Sequence, residues 1–319
     1  MNYSAVIPTY KRGNDLRRCV INLLNQTLKP SEIIISGVEG DVETYEAFES
    51  LKGSYPDSNI KLVTLPRQRR GISAQRNNGL RSASFDLVLM VDDDVKLPPD
   101  FAGDGFRILL EQDALIVTGV EEGQKEPPKI QNAIRRMFYF DHYEKNKQVV
   151  LPSGAKVIAY QPASDLRAEF LGSQVWLMRK EIIDYFRFDE TMITYSHRED
   201  QDFSYAVYRK FGPRLIMSPR LKFKHLHSPG GRVRQGVMSH IVVYNLLLNY
   251  RKHFFDRKNA KLIFTWCLLG LILQNLHQVI KRGNVTIFIE TLNAVIGVIN
   301  SWNHIRIGKF SKLYEKLIR

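Results

Sequence analysis

Cysteine is nearly absent from this chain: its 319 residues hold two, Cys19 and Cys267, set far apart and in unrelated contexts. Neither a disulfide framework nor a thiolate metal site can be built from them, and a reducing compartment is expected. Acidic residues are scarce at one end. Residues 203–319 hold only Asp256, Glu290 and Glu315 against 20 Lys and Arg, whereas residues 1–202 hold 30 acidic and 26 basic residues. The net charge of +13 is therefore a C-terminal property. It draws polyanions: nucleic acid, phosphorylated ligands or an anionic lipid surface. The N-terminus lacks a basic region followed by a long apolar run, so no secretory leader is expected. The apolar run Leu262–Leu273 falls short of the ~20 residues that span a bilayer. Internal repeats and low-complexity segments are missing too.

What is present is 44% hydrophobic residues, enough for a sizeable core. The first half alternates short apolar runs with helical stretches, the pattern of an α/β domain with a largely parallel sheet. Strands are expected at 4–7, 32–36, 60–65 and 87–91, the last buried on both faces. Helices are expected at 14–26, capped by Asn14 or Asp15, and at 42–51 and 73–83. Residues 101–170 are less legible. They suggest a helix at 101–112, a strand at 115–120 and a basic, aromatic stretch around 135–147. A returning strand is expected at 170–178, and a helix at 203–211. Beyond Leu262, two apolar stretches, 262–273 and 285–302, are bordered by Lys258, Lys261, Lys281, Arg282, Arg306, Lys309 and Lys312 and contain Trp266 and Trp302. Such segments suit helices lying in a headgroup region; a helical hairpin packed on the domain or on a second subunit is the competing reading.

Three constellations carry chemistry. Asp92-Asp93-Asp94 closes the strand at 87–91, where adjacent anions repel unless a cation offsets them. In an extended segment Asp92 and Asp94 share a face, spacing that suits one hard divalent ion completed by phosphate oxygens. A solvated acidic turn is the alternative. Next, Glu199-Asp200 precedes a helix, where the dipole keeps a carboxylate ionised and fit to act as a base; N-capping is the plainer role. Last, His225 and His227 precede a turn with Gly230, Gly231, Arg232 and Arg234, which could offer an imidazole to a metal and cations to a diphosphate.

In that order these residues resemble glycosyltransferase family 2, inverting nucleotide-sugar transferases of the GT-A fold. The likeness covers about residues 4–235. Val6 to Arg12 is similar to the family's first strand and nucleotide loop, Gln75 to Gly79 to the helix before the metal motif, and Asp92 to Asp94 to its Asp-x-Asp position. Glu199-Asp200 is similar to its catalytic pair and His225 to Arg232 to its late donor-phosphate loop. The resemblance implies a Rossmann-like, mostly parallel α/β sheet over 1–235, with a nucleotide half at 1–100 and an acceptor half at 101–235. A helical region at 236–319 would bind membrane or dimerise.

It further implies a site. Pro8, Thr9 and Tyr10 would line the base, with Arg12 and Asp93 nearby, Arg76 beside the uracil or metal motif, and Asp92 on the ribose or sugar. Asp94, with Asp92 and His225 or His227, would hold Mn²⁺ or Mg²⁺; Arg232 would meet the diphosphate; Asp200 would be the base, with Glu199 beside it. The second strand departs from the family by ending Ser36-Gly37-Val38-Glu39-Gly40-Asp41 rather than in paired acids, and Glu39 is the substitute. UDP is the default nucleotide, with GDP and dTDP open, and the acceptor a glycan or lipid-linked hydroxyl in cell-surface polysaccharide synthesis. The expected location is the cytoplasmic face of the inner membrane, peripheral or monotopic; homo-oligomers are left open. A nucleotidyltransferase would need a Gly-rich phosphate loop where Pro8-Thr9-Tyr10-Lys11-Arg12-Gly13 stands. Nucleic acid is not the expected polyanion, because the basic region carries long apolar stretches.

Overall fold

Runs of Val, Ile and Leu give the chain its strands, and polar or turn-forming residues close them. The computed structural model describes residues 1–125, 127–192, 196–228, 235–283 and 285–300. In chain order it begins with β1 (Ser4–Pro8), α1 (Gly13–Leu24), β2 (Glu32–Val38), α2 (Val42–Ser54), β3 (Ile60–Leu65), α3 (Ile72–Ser82) and β4 (Leu87–Val91). There follow β5 (Val95–Lys96), α4 (Phe101–Glu111), β6 (Ile116–Glu121), α5 (Lys129–Met137), β7 (His142–Glu144), β8 (Val149–Val150) and β9 (Lys156–Ala159). The last are β10 (Leu166–Ala168), β11 (Val175–Arg179), α6 (Glu199–Phe211), β12 (Leu215–His225), α7 (Gln235–His253), α8 (Ala260–Arg282) and α9 (Val285–Asn300).

Two compact units emerge. The first comprises Met1–Lys125, Tyr160–Thr194 and Glu199–Arg232; the second comprises Glu126–Ala159, Tyr195–Arg198 and Val233–Arg319. In the first, the strand order is β10-β12-β6-β11-β4-β1-β2-β3, with β5 on β12. Its β3, β2, β1 and β4 run parallel, as short strand-helix-strand alternation requires. The other half is mixed, because β11 runs antiparallel to both β4 and β6. Helix α3 sits close on β1 for a simple reason. A Cβ at Gly79 would come within 2.4 Å of a Val6 methyl, so only glycine permits that approach.

Several boundaries differ from the sequence expectation. The strand expected at 170–178 begins only at Val175, whose ladder partner Val91 is the last residue of β4; just before it, the Trp176 indole N–H donates to the Gly172 carbonyl at 2.6 Å and curls the chain. The N-cap of α1 is Arg12, which makes no side-chain capping bond, and Asp15 lies in the first turn. Helix α6 starts at Glu199, four residues before the expected start, which puts Glu199, Asp200 and Asp202 inside its first turn.

The second unit pairs a small sheet, β7-β9-β8, with α7, α8 and α9. The apolar run from Leu262 is the first half of α8, which continues to Arg282 and stops at Gly283, whose φ of +66° gives the left-handed cap that glycine favours. Asn275 on α8 donates to Thr291 on α9 at 2.7 Å, so the two form a hairpin. Among the described residues no helix is long and apolar enough to cross a membrane. Both cysteines are buried and free. Trp302, Arg306, Lys309 and Lys312 lie outside the described residues.

Candidate active site

Parallel strands gather polar groups at their C-terminal ends, and in the first unit those of β1 and β4 supply the site. Thr9 follows β1 directly. Its N–H donates to Ser36 at the end of β2 (3.0 Å), and its hydroxyl donates to Asp93 at 2.7 Å. Gln75 on α3 donates to the carbonyls of both Thr9 (2.6 Å) and Ser36 (3.1 Å), tying the ends of β1 and β2 together. Lys11 takes a left-handed φ of 54°, and Asp41 accepts its N–H at 2.7 Å. The same carboxylate caps α2 through Thr44.

The aspartate triplet does not continue β4. Its residues form a turn between β4 and β5, closed by Val95 N–H donating to the Asp92 carbonyl at 3.2 Å. The strand alternation that would have put Asp92 and Asp94 on one face therefore does not apply: Asp92 meets Arg76, whereas Asp93 and Asp94 share Arg12. Asp93 is buried and spends both oxygens, one on Thr9 and the other on Arg12 at 2.9 Å. Burial pushes its carboxyl up to about 7 against the pull of Arg12 and Thr9.

Asp92 leads into the first of two arms. Arg76 on α3 is only 2% exposed and splits its guanidinium, one nitrogen donating to Asp92 (2.9 Å) and the other to Glu199 (2.6 Å). Phe188 lies under the same guanidinium, 5.4 Å from its carbon. Burial raises the carboxyl of Asp92, with Arg76 pulling the other way. In Glu199, burial and then the neighbouring charge of Asp200 raise it. Asp200 itself is half-buried. One of its oxygens accepts Gln201 N–H at 2.7 Å, and among the described residues nothing takes the other.

The second arm runs from Asp94. Pairing of β5 with β12 sets Val95 opposite His225, which brings His225 Nε2 to 3.1 Å from Asp94 Oδ1. The second oxygen accepts Ser228 N–H at 3.1 Å and faces Arg12 at 3.3 Å. Burial pushes Asp94 up, but His225, Arg12 and the Ser228 amide outweigh it and hold the carboxyl below its ordinary value. Burial likewise pulls His225 down, and Asp94 more than reverses this. His225 Nδ1 is buried and has no hydrogen-bond partner among the described residues. His227 is exposed and meets Glu121 instead at 2.9 Å; Glu121, His225 and His227 offer ligand atoms within 4.8 Å of one another.

A divalent ion fits this donor set. Two adjacent ligands, each about 2.1 Å from an octahedral ion, stand roughly 3.0 Å apart, and Asp94 Oδ1 and His225 Nε2 are separated by 3.1 Å. Asp92, partly exposed, keeps one oxygen without a partner among the described residues.

The fold thus joins Thr9, Arg12, Asp92, Asp93, Asp94, Arg76, Glu199 and His225 in one network, with Pro8 at the end of β1 and a half-buried Tyr10 beside it. Glu39 is exposed, and its backbone N–H donates to the Leu65 carbonyl at 2.9 Å. Asp41, two residues later, is the acid that faces the loop, and an aspartate just ahead of a helix was a readable cap signal. Gln75 and Glu121 were also missed as site residues. Arg232 and Arg234, with Gly230 and Gly231, lie outside the described residues.

Known proteins resemble the chain in sequence and in fold. The profile of Glycosyl transferase family 2 matches residues 4–164. A GalNAc(5)-diNAcBac-PP-undecaprenol beta-1,3-glucosyltransferase of Campylobacter jejuni is 31% identical over 94 residues, 30% of this chain and 30% of that protein. The chain spans 20% and 30% of the length of the first curated relatives it matches. Staphylococcus aureus TarS 1-349 in complex with UDP-GlcNAc superposes with a TM-score of 0.58 at 14% identity, covering 100% of this chain and 90% of that one. A mannosyltransferase from Pyrobaculum calidifontis in complex with GDP-Man and Mn²⁺ gives 0.57 at 14% identity, covering 99% and 86%.

Proposed function

The chain belongs to glycosyltransferase family 2 and has the α/β GT-A fold, and from that premise we propose that it transfers a sugar from a nucleoside diphosphate to a hydroxyl with inversion. The donor is a UDP-sugar by preference, and the acceptor is a glycan or lipid-linked hydroxyl. The observation that carries this reading is the Asp92–Arg76–Glu199 bridge, which ties the acidic turn after β4 to the residue beside Asp200. The TarS complex holds a UDP-sugar and the Pyrobaculum enzyme a GDP-sugar, so the nucleotide class is the part most in need of a test.

Each residue has a defined task. Asp200 sits in the first turn of α6, and the oxygen that no described residue takes accepts the proton of the acceptor hydroxyl. The freed oxygen lone pair attacks the anomeric carbon as the bond to the diphosphate breaks on the opposite face. That electron pair leaves with the phosphate oxygen, so one displacement inverts the centre. Asp94 and His225, with the open oxygen of Asp92, would hold Mn²⁺ or Mg²⁺. Bound there, the ion supplies positive charge to the departing diphosphate. Arg12 and Asp93 set the acidic turn against Thr9, while Pro8, Thr9 and Tyr10 line the base. Arg232 completes the diphosphate contacts.

The test is nucleoside diphosphate release by the purified full chain, across UDP-, GDP- and dTDP-sugars, with Mn²⁺, Mg²⁺ or EDTA. Release is expected from one nucleotide class, UDP first, and is expected to collapse in EDTA. If no donor is turned over and none raises the melting temperature, the reading is wrong; undiminished release in EDTA removes the ion from it.

A further inference from the structure

Helices in the second unit carry apolar residues on faces that their packing does not use. In α8, Phe264, Cys267, Leu268 and Leu271 are buried, while Leu262, Trp266, Leu269, Leu273 and Leu276 are exposed. In α9, Ala294, Val295 and Val298 are buried, while Val285, Ile289, Leu292, Ile296 and Ile299 are exposed. Both outer sets repeat at steps of four and three, which draws one stripe along each helix. Helix α5, in the stretch the sequence left least legible, adds Ile130, Ile134 and Met137 at the same steps; Ile130 is 79% exposed.

These helices are neighbours. Trp266 donates to the Met137 carbonyl at 2.9 Å, Phe138 stacks on Trp266 with 4.9 Å between ring centroids, and Arg135 reaches Gln274 at 3.3 Å. Asn275 and Thr291 join α8 to α9. Soluble monomers seldom expose so much ordered apolar surface unless something covers it.

We propose that this face lies on an anionic lipid bilayer, with α5, α8 and α9 seated in the headgroup region. Charge decides between lipid and a second copy of the chain. Helices α5 and α8 contain no acidic residue, and α9 contains one, Glu290. Lys129 and Arg136 on α5, and Arg257, Lys258 and Lys261 around the start of α8, are exposed. A two-fold partner would set such like charges against one another, whereas anionic headgroups pair with them. No described helix is built to span, so the contact is interfacial.

Vesicle flotation of the full chain tests this, and it needs no donor, so its outcome is independent of the transfer reading. The chain is expected to float with phosphatidylcholine vesicles that contain phosphatidylglycerol, and to float poorly with phosphatidylcholine alone or in high salt. Replacing Ile130, Leu269 and Ile296 together by Ser is expected to weaken binding at least tenfold, with the melting temperature unchanged. Lys129→Gln with Arg136→Gln, which removes no apolar group, is expected to weaken it by roughly fivefold per charge. Absence of flotation, flotation indifferent to anionic lipid, or binding that neither variant weakens would overturn the proposal. So would a solution dimer that the triple variant splits into monomers while vesicles go unbound.

Discussion

The two arms that leave the aspartate triplet use similar residues in opposite ways. Arg76 is almost wholly enclosed and divides its fork between two carboxylates, so one cation fixes both from inside the protein. Arg12, by contrast, leaves 18% of its side chain exposed, and its arm ends on a carboxylate facing a histidine that can lose its proton. In the first arm Arg76 holds positions, and the ligand-facing group there is the open oxygen of Asp92. An arm with a titratable partner and an open side can exchange that partner's proton for a cation. Glu199 belongs to the first kind and the neighbouring Asp200 to neither, since one of its oxygens is unpaired among the described residues.

The sharpest way to break this contrast is to neutralise the two adjacent carboxylates separately. Asp200→Asn is expected to lower turnover by about 10²–10⁴-fold, the usual weight of a positioned general base, while the melting temperature and the affinity for a nucleoside diphosphate hold. Glu199→Gln is expected to lower the melting temperature, because Arg76 then loses a buried charged partner. Turnover by Asp200→Asn within tenfold of the parent would remove Asp200 as the base.

A second measurement weighs the dry arm directly. Arg76→Met strands Asp92 and Glu199 without their shared cation, and breaking a buried pair of this sort costs roughly 3–5 kcal/mol. Arg76→Lys keeps the charge but has no planar fork to reach two carboxylates, so its loss should fall between parent and Arg76→Met. Arg12→Met, in the wetter arm, is expected to cost less than either. Urea unfolding of the four proteins ranks them, and equal losses at Arg12 and Arg76 would erase the distinction.

How much of this was legible beforehand follows from which contacts are local. Strands β1, β2, β3 and β4 were readable because their aliphatic runs are closed by proline, by glycine or by acid, and periodicity decides such cases. The triplet is legible as a concentration of charge, but its course is not: a backbone turn from Val95 to Asp92 overrides strand alternation, and nothing in three consecutive aspartates announces it. Asp94 meeting His225 depends on β5 pairing with β12 across 131 residues, and β5 is only two residues long, too short for any pattern. Likeness to the family's paired acids points to Glu39. The capping role of Asp41 was the physically better clue, since Thr44 stands three residues on. In α5 the apolar steps were present, but at nine residues the helix is shorter than the window periodicity needs.

The finest test separates the two histidines, one ending β12 and the other two residues beyond it, with ring centroids 4.1 Å apart. His225 is half-buried against Asp94, whereas His227 is exposed, takes a left-handed φ of 51° and faces Glu121. If the cation sits between Asp94 and His225, His225→Asn should raise the Mn²⁺ dissociation constant by about 10–100-fold, the scale on which loss of a group that orients or ligates a metal is felt. His227→Asn should change it by less than about threefold, because an exposed imidazole bonded to a carboxylate loses little when water replaces it. Mn²⁺ titration followed by electron paramagnetic resonance reads both without turnover. Equal effects would place the ion among Glu121, His225 and His227 rather than on Asp94, and Asp94→Asn would then leave binding intact.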